Sequence, residues 1–319
     1  MIEVPSDVIP LKEYATVSAI FNVLLLHTGP ILEFEYVGEI RMDYGFDQIL
    51  LYLSKNKIVK KCIFNISIWS YKIPCSFFSL HGLESIELIN CRLELPLMFK
   101  GFSKLGSLSL INVKVSSTAL RRFLSSCPLL MDVILEISQE DTEGEKQFTC
   151  MDLIKCVPLL RTLDILDCYM EDLCVGGMPQ KLPAPLVHLK FIILEMYLTD
   201  HDQVSSTLCL LRNAPNLEKI RFTMFEKEDA PHISVKCFDL DHSSYNFDSL
   251  QELEMIYYFN ATLEFEIVKL VMAKSPRLEK VRILLYDGIS VDEELKIRDD
   301  LMRLPVLRGS ASAILRIER

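Results

Sequence analysis

One short pattern recurs through this chain and restricts its fold more than any other feature. It is Leu, two residues, an apolar residue, one residue, an apolar residue. Copies begin at Leu83 (with Ile86, Leu88), Leu105 (Leu108, Leu110), Leu130 (Val133, Leu135) and Leu160 (Leu163, Ile165). They continue at Leu186 (Leu189, Phe191), Leu217 (Ile220, Phe222), Leu250 (Leu253, Met255) and Leu278 (Val281, Ile283). A weaker copy is Val59, Cys62, Phe64. The first Leu recurs after 22, 25, 30, 26, 31, 33 and 28 residues.

This is the leucine-rich-repeat signature, at long and irregular periods. The last three positions alternate with period two, so they predict a short strand with one buried face. The first Leu packs into the same core just ahead of the strand. A residue able to bond backbone should follow, and Asn90 and Asn112 stand in that place. No unit can bury its apolar face alone, whereas stacked units share one core and one parallel sheet. A proline lies two residues before the repeat Leu at Pro128, Pro158, Pro215 and Pro276, and one before it at Pro185. Ahead of these prolines the apolar spacing is helical: Leu120, Phe123, Leu124, Cys127; Leu153, Ile154, Val157; Val204, Leu208, Leu211; Ile267, Leu270, Val271 with Lys274 at the margin. Proline ends each helix and feeds the next strand. The expected fold is an α/β leucine-rich-repeat solenoid, an arc with a parallel inner sheet and outer helices.

The ends are less regular. Phe46, Ile49, Leu50 and Leu53 predict a helix, preceded by an alternating strand at 31–37 that reads as one more degenerate repeat. The apolar stretch Ala15 to Leu26 is shorter than the ~20 residues a membrane span needs, so it reads as a buried helix. Residues 139–146 and 225–231 read as polar loops, and 231–247 as an irregular insertion. Val291 to Leu304, with Leu295, Ile297, Leu301 and Leu304 apolar, predicts a last helix ended by Pro305. Ala313 to Ile317 predicts a last strand that caps the stack.

Composition narrows function mainly by exclusion. Half of the 319 residues are hydrophobic, so a folded chain is expected. With 34 Lys and Arg against 44 Asp and Glu the net charge is −10, which suits neither nucleic acid nor an anionic membrane. Only 11 glycines are present, and no phosphate loop, dinucleotide fingerprint, nucleophile elbow or zinc-protease motif occurs. No enzyme and no cofactor are expected. The opening Met1-Ile2-Glu3-Val4-Pro5 lacks a basic region, so a secretory signal is not expected. The ten cysteines, most in apolar surroundings and none as Cys-x-x-Cys, then read as reduced thiols of a cytoplasmic or nuclear protein. Asp200-His201-Asp202 and Asp239-Leu240-Asp241-His242 are the dense acid and histidine clusters; each reads as a helix start or a loop before it reads as a metal site.

The outward strand positions offer the candidate binding residues. They are Ser85 and Glu87; Ser107 and Ser109; Asp132, Ile134 and Glu136; Thr162 and Asp164; His188 and Lys190; Lys219 and Arg221; Glu252 and Glu254; Lys280 and Arg282. Asp132, Glu136, Asp164, Lys190 and the last six form the candidate concave-face site. The last three strands alternate basic, acidic, basic. Strands lie ~4.8 Å apart, so Glu252 and Glu254 should meet cations on both sides. A mutual ion-pair ladder is the simpler reading, since opposite charges already satisfy each other. An electrostatic docking face is the alternative.

Several stretches also resemble a known family. Residues 20–31 (Ile20 to Ile31) are similar to the segment after the F-box in plant F-box/FBD/leucine-rich-repeat proteins, and 48–58 to the helix that follows. Residues 100–105 and 127–130 resemble the linkers between their repeats. Residues 250–254 followed by 269–279 look like their FBD module. The resemblance implies three regions: 1–57 as an N-terminal cap, 58–245 as repeats, and 246–319 as an FBD-like C-terminal repeat and cap. It implies the substrate-recognition part of an SCF-type ubiquitin ligase, with a protein substrate and, where an F-box is present, a Skp-type adaptor and cullin. Here the chain departs from the family: about 19 residues precede the Ile20 segment, and only Pro5-Ser6-Asp7-Val8-Ile9 faintly matches an F-box opening. The alternative is an F-box-less repeat protein that binds a partner without ligase assembly.

Overall fold

The structure, a computed structural model, describes residues 13–38, 43–55, 59–67, 71–140, 144–166, 169–179, 181–225, 245–259, 262–304 and 313–319. By contacts the chain divides into two compact units, Met1–Phe148 with Asp152–Leu159, and Thr149–Met151 with Leu160–Arg319. In chain order the first carries α1 (Glu13–Leu26), β1 (Glu33–Gly38), α2 (Asp43–Lys55), β2 (Lys61–Ile66), β3 (Tyr71–Lys72), β4 (Ser85–Ile89), β5 (Cys91–Arg92), β6 (Ser107–Val115), α3 (Ser117–Ser125) and β7 (Asp132–Gln139). After α4 (Cys150–Cys156), the second carries β8 (Thr162–Ile165), α5 (Tyr169–Leu173), β9 (Phe191–Tyr197), α6 (His201–Asn213), β10 (Lys219–Phe225), β11 (Glu252–Tyr258), α7 (Thr262–Lys274), β12 (Lys280–Leu285), α8 (Val291–Arg303) and β13 (Ile314–Glu318).

The strands pair in parallel throughout the described residues. In the first unit β1, β2, β4, β6 and β7 lie side by side, and β3 and β5 extend the row beyond the corner of β4. In the second the order is β8, β9, β10, β11, β12, β13. Two local devices set this register. A turn closes on most repeat leucines: the Leu130 N–H donates to Cys127 O at 3.1 Å, Leu250 to Phe247 at 3.0 Å, and Leu278 to Ser275 at 3.2 Å. Pro128 and Pro276 sit at the second position of such turns, where their fixed φ fits. Then one carbonyl of each repeat accepts two successive N–H groups of the next. Gly106 O takes Met131 and Asp132, and Gln251 O takes Glu279 and Lys280.

These devices correct one repeat. The copy assigned to Leu186 starts instead at Leu189. Leu186 O accepts the turn bond from Leu189, and Ile192, Leu194 and Met196 are the buried strand residues. Phe191 lies on the open face opposite Lys219, and Leu186 itself is half-buried. Leu189, Ile192 and Leu194 satisfy the same pattern three residues later, and neighbouring strands decide between the two frames.

The other repeat leucines, Leu83, Leu105, Leu130, Leu160, Leu217, Leu250 and Leu278, are buried with their partners. Ile31, Phe34 and Tyr36 are buried likewise, so β1 continues the pattern at the N-terminal side. Asn90 and Asn112 occupy the strand corners at φ 59° and 51°, a left-handed conformation that Asn tolerates. Asn112 Nδ2 donates to Asn90 Oδ1 at 2.6 Å, and the Asn90 N–H donates to Ile111 O.

Helices do not back every strand. Between β3 and β4 the chain makes a 3-10 turn, Cys75–Ser79, and between β5 and β6 an irregular loop. Aromatic rings fill that layer: Phe64, Phe77, Phe102 and Phe123 follow each other at centroid distances of 5.7, 5.9 and 5.9 Å. Gly101, at φ 90°, lies so close to the end of α3 that a Cβ would stand 1.7 Å from Ser126 O. Arg122 of α3 donates to the carbonyls of Pro96, Leu97 and Phe99 at 2.5, 2.9 and 3.4 Å.

The expected helices over 46–53, 120–127, 204–211, 267–274 and 291–304 are α2, α3, α6, α7 and α8, and the last strand is β13. Leu295, read as a core position, is exposed, while Ile297 and Leu301 are buried. The buried-helix reading of 15–26 also needs correction. Leu24 is buried, but Val23, Leu25 and Leu26 are exposed, because among the described elements α1 packs mainly against α2. No described helix is long and apolar enough to cross a membrane. The expectations for 141–143 and 226–244, including the Asp239 to His242 cluster, and for Pro305 lie outside the described residues.

Candidate interaction face

In the second unit β8, β9 and β12 bury every other side chain, and β10 and β11 follow that alternation in their first residues; the remaining positions lie on the open side of the sheet. On β10 to β13 that side carries Lys219, Arg221, Glu252, Glu254, Lys280, Arg282, Arg316 and Glu318. Parallel register aligns them in rows. Lys219, Glu252 and Lys280 face one another, as do Arg221, Glu254, Arg282 and Arg316.

The rows are ion-pair ladders. Lys219 Nζ reaches Glu252 Oε2 at 2.9 Å. Glu254 is gripped from both sides, by Arg221 Nε at 2.6 Å and Arg282 NH1 at 2.7 Å. Arg282 also reaches Glu318 Oε2 at 2.7 Å. Glu254 is only 7% exposed. Burial pushes its carboxyl pKa up, but the hydrogen bonds from Arg282 and Arg221 outweigh that and hold it below the usual range. Glu252 is held low chiefly by Lys219, and Glu318 by Arg282. Exposed cross-strand pairs contribute about 0.2–1 kcal/mol each. Glu254 is both doubly held and nearly buried.

The ladder expectation therefore holds on both sides for Glu254, between Arg221 and Arg282, and on one side for Glu252, which meets Lys219. Lys280 and Arg316 form no ion pair among the described residues. Asp164, two strands away on β8, has a different setting. Burial raises its pKa to about 6, the neighbouring Glu195 adds to the rise, and Arg221 opposes it. Its Oδ1 is buried without a hydrogen-bond partner among the described residues. Lys190 stands outside the strand face: it immediately precedes β9, its carbonyl takes the two entering N–H groups of β10, and its Nζ bonds Glu218 Oε1 at 2.6 Å. His188 precedes it, so neither lies among the outward strand residues. Asp132 and Glu136 face outward on β7, in the other unit. Of the acid and histidine clusters, Asp200 caps α6, accepting from the Asp202 and Gln203 N–H groups at 2.9 and 3.0 Å.

Reading the sequence missed one feature of this face. At the C-terminal ends of three neighbouring strands stand Tyr197, Phe225 and Tyr257, with ring centroids 5.8 and 6.4 Å apart. Tyr257 is the extra residue of a bulge between Ile256 and Tyr258, at φ 59°, and is 40% exposed. Asn112 holds the equivalent bulge of β6, between Ile111 and Val113. A bulky residue there costs roughly 1–2 kcal/mol. The available signal was an aromatic residue at a near-constant distance from the start of each strand.

No protein-family model matches the chain. A loose superposition relates it to TLR13 in a solved TLR13–ssRNA13 complex, with TM-score 0.39 and 14% identity over 81% of this chain and 38% of that one. A fit of that quality bears on neither fold detail nor ligand. The informative relative is the Arabidopsis thaliana F-box/FBD/LRR-repeat protein At1g13570, 28% identical across 88% of this chain and 78% of that protein. With strands, turns and buried leucines repeating as that name requires, the chain is a relative of the plant F-box/FBD/leucine-rich-repeat proteins.

Proposed function

We propose that this chain is a protein-recognition module that captures its partner on the open face of its sheet. The observation that carries the reading is the composition of β10 to β13. Their open side holds five cations and three carboxylates, in a chain of net charge −10. A rigid, locally basic patch on an acidic protein suits steering and register with a partner. We further read the chain as the substrate-recognition part of an SCF-type ubiquitin ligase, acting by binding and proximity and not by chemistry of its own. The support for that step is the similarity to an F-box/FBD/LRR-repeat protein. In this reading 1–57 caps the stack, 58–245 supplies repeats and 246–319 is the FBD-like end.

Co-purification of this chain with a plant Skp-type adaptor tests the ligase step, with an F-box-bearing relative as control. A stable complex is the expected result. If the control binds and the folded chain does not, the ligase step is wrong, and the chain is a repeat module that binds a partner without ligase assembly.

A further inference from the structure

The aromatic row makes a specific demand that the ion ladder does not. Tyr257 takes the left-handed bulge position that Asn112 fills in β6, although a large side chain is disfavoured there. Locally strained positions recur where a side chain must be aimed for contact. The bulge aims this ring at Phe225, which in turn meets Tyr197, and it leaves Tyr257 40% exposed. Half-exposed aromatic rings on a rigid strand frame anchor apolar side chains at small entropic cost.

The surrounding charge identifies the occupant. Lys280 lies on β12, next to the Tyr257 strand, and Arg316 on β13, one strand further; neither forms an ion pair among the described residues. Ile314, exposed, stands opposite Lys280 in the same row. Strand spacing of ~4.8 Å and a rise of ~3.3 Å put Arg316 about four extended residues from Tyr257.

Resting on the reading of the open face as the contact surface, we infer that Tyr197, Phe225 and Tyr257 form the anchor subsite for an extended acidic peptide segment of a protein partner. The segment places a proline or aromatic ring on the row and its carboxylates on Lys280 and Arg316. Stacking and CH contacts with the rings supply the anchor. These two cations, which form no ion pair among the described residues, set direction and register.

The test uses the whole chain as bait for a display library of random peptides. Selected peptides should share a ring residue followed or preceded, about four positions away, by Asp or Glu. Tyr257→Asn should weaken them at least about tenfold, as loss of an interface anchor does, while its thermal unfolding midpoint stays equal to or above that of the wild type. Tyr257→Phe should keep the affinity. Lys280→Glu with Arg316→Glu should weaken the acidic peptides most. If the selected peptides respond to charge reversal at Lys219 and Arg221 but not to Tyr257→Asn, the aromatic subsite is wrong and the open-face reading survives. Peptides indifferent to every open-face substitution, or no selectable peptide, would overturn both. A lower midpoint for Tyr257→Asn would also overturn the proposal, because the ring would then be there for stability.

Discussion

Asp164 shows how far one side chain can be set against its surroundings. Its carboxyl is partly buried, feels the charge of Glu195, and has one oxygen without a hydrogen-bond partner among the described residues, so burial first and repulsion second raise its pKa to about 6. An unfolded Asp titrates near ~3.9. The folded state therefore holds the proton more tightly than the unfolded state between those values. Stability contributed by the protonated form is lost as pH rises from about 4 to about 6. Asp164→Asn should accordingly be more stable than wild type at pH 7 in urea unfolding, and the gap should close by about pH 4. A gap independent of pH, or a less stable variant at pH 7, would contradict this account. Glu254 has the opposite sign: its lowered pKa contributes stability at neutral pH that disappears as acid protonates it. None of this was legible in the sequence, because pattern gives the face a residue occupies but not how much water reaches it.

At the scale of elements, the repeat pattern placed strands well and connections less well. Period-two burial is a property of a few residues, so β2, β4, β6, β7 and β10 to β12 were readable directly. The β9 frame was not, since two overlapping matches compete and neighbouring strands choose between them. The loop between β5 and β6 was legible only in part, as a resemblance of residues 100–105 to a repeat linker. It is held by the three carbonyl contacts of Arg122, and it projects Leu97, 94% exposed, into solvent. Its exit depends on Gly101, where the positive φ and the approach of Ser126 O leave no room for a Cβ. Gly101→Ala should cost about 2–4 kcal/mol, combining backbone strain with overpacking, measured by denaturant unfolding. A loss under about 0.5 kcal/mol, the usual range for an unconstrained surface change, would mean that the loop and α3 can separate freely.

For the whole molecule, each unit repeats one solution: a turn on the repeat Leu, a shared carbonyl, a strand that buries alternate residues. The buried half of that pattern determines the fold, and the same leucines would serve any leucine-rich-repeat protein. What is particular to this chain lies on the other half, in the ladder through Glu254, in Lys280 and Arg316, and in the ring row ending at Tyr257. The ladder was legible because charge alternation survives in the sequence. The ring row was not, because a bulge breaks the alternation just where Tyr257 turns outward. The most direct test of the account is amide hydrogen exchange on the full chain with and without a selected peptide. The account predicts slowed exchange confined to 191–197, 219–225, 252–258, 280–285 and 314–318. Protection centred on the helices, with those five strands unchanged, would contradict it.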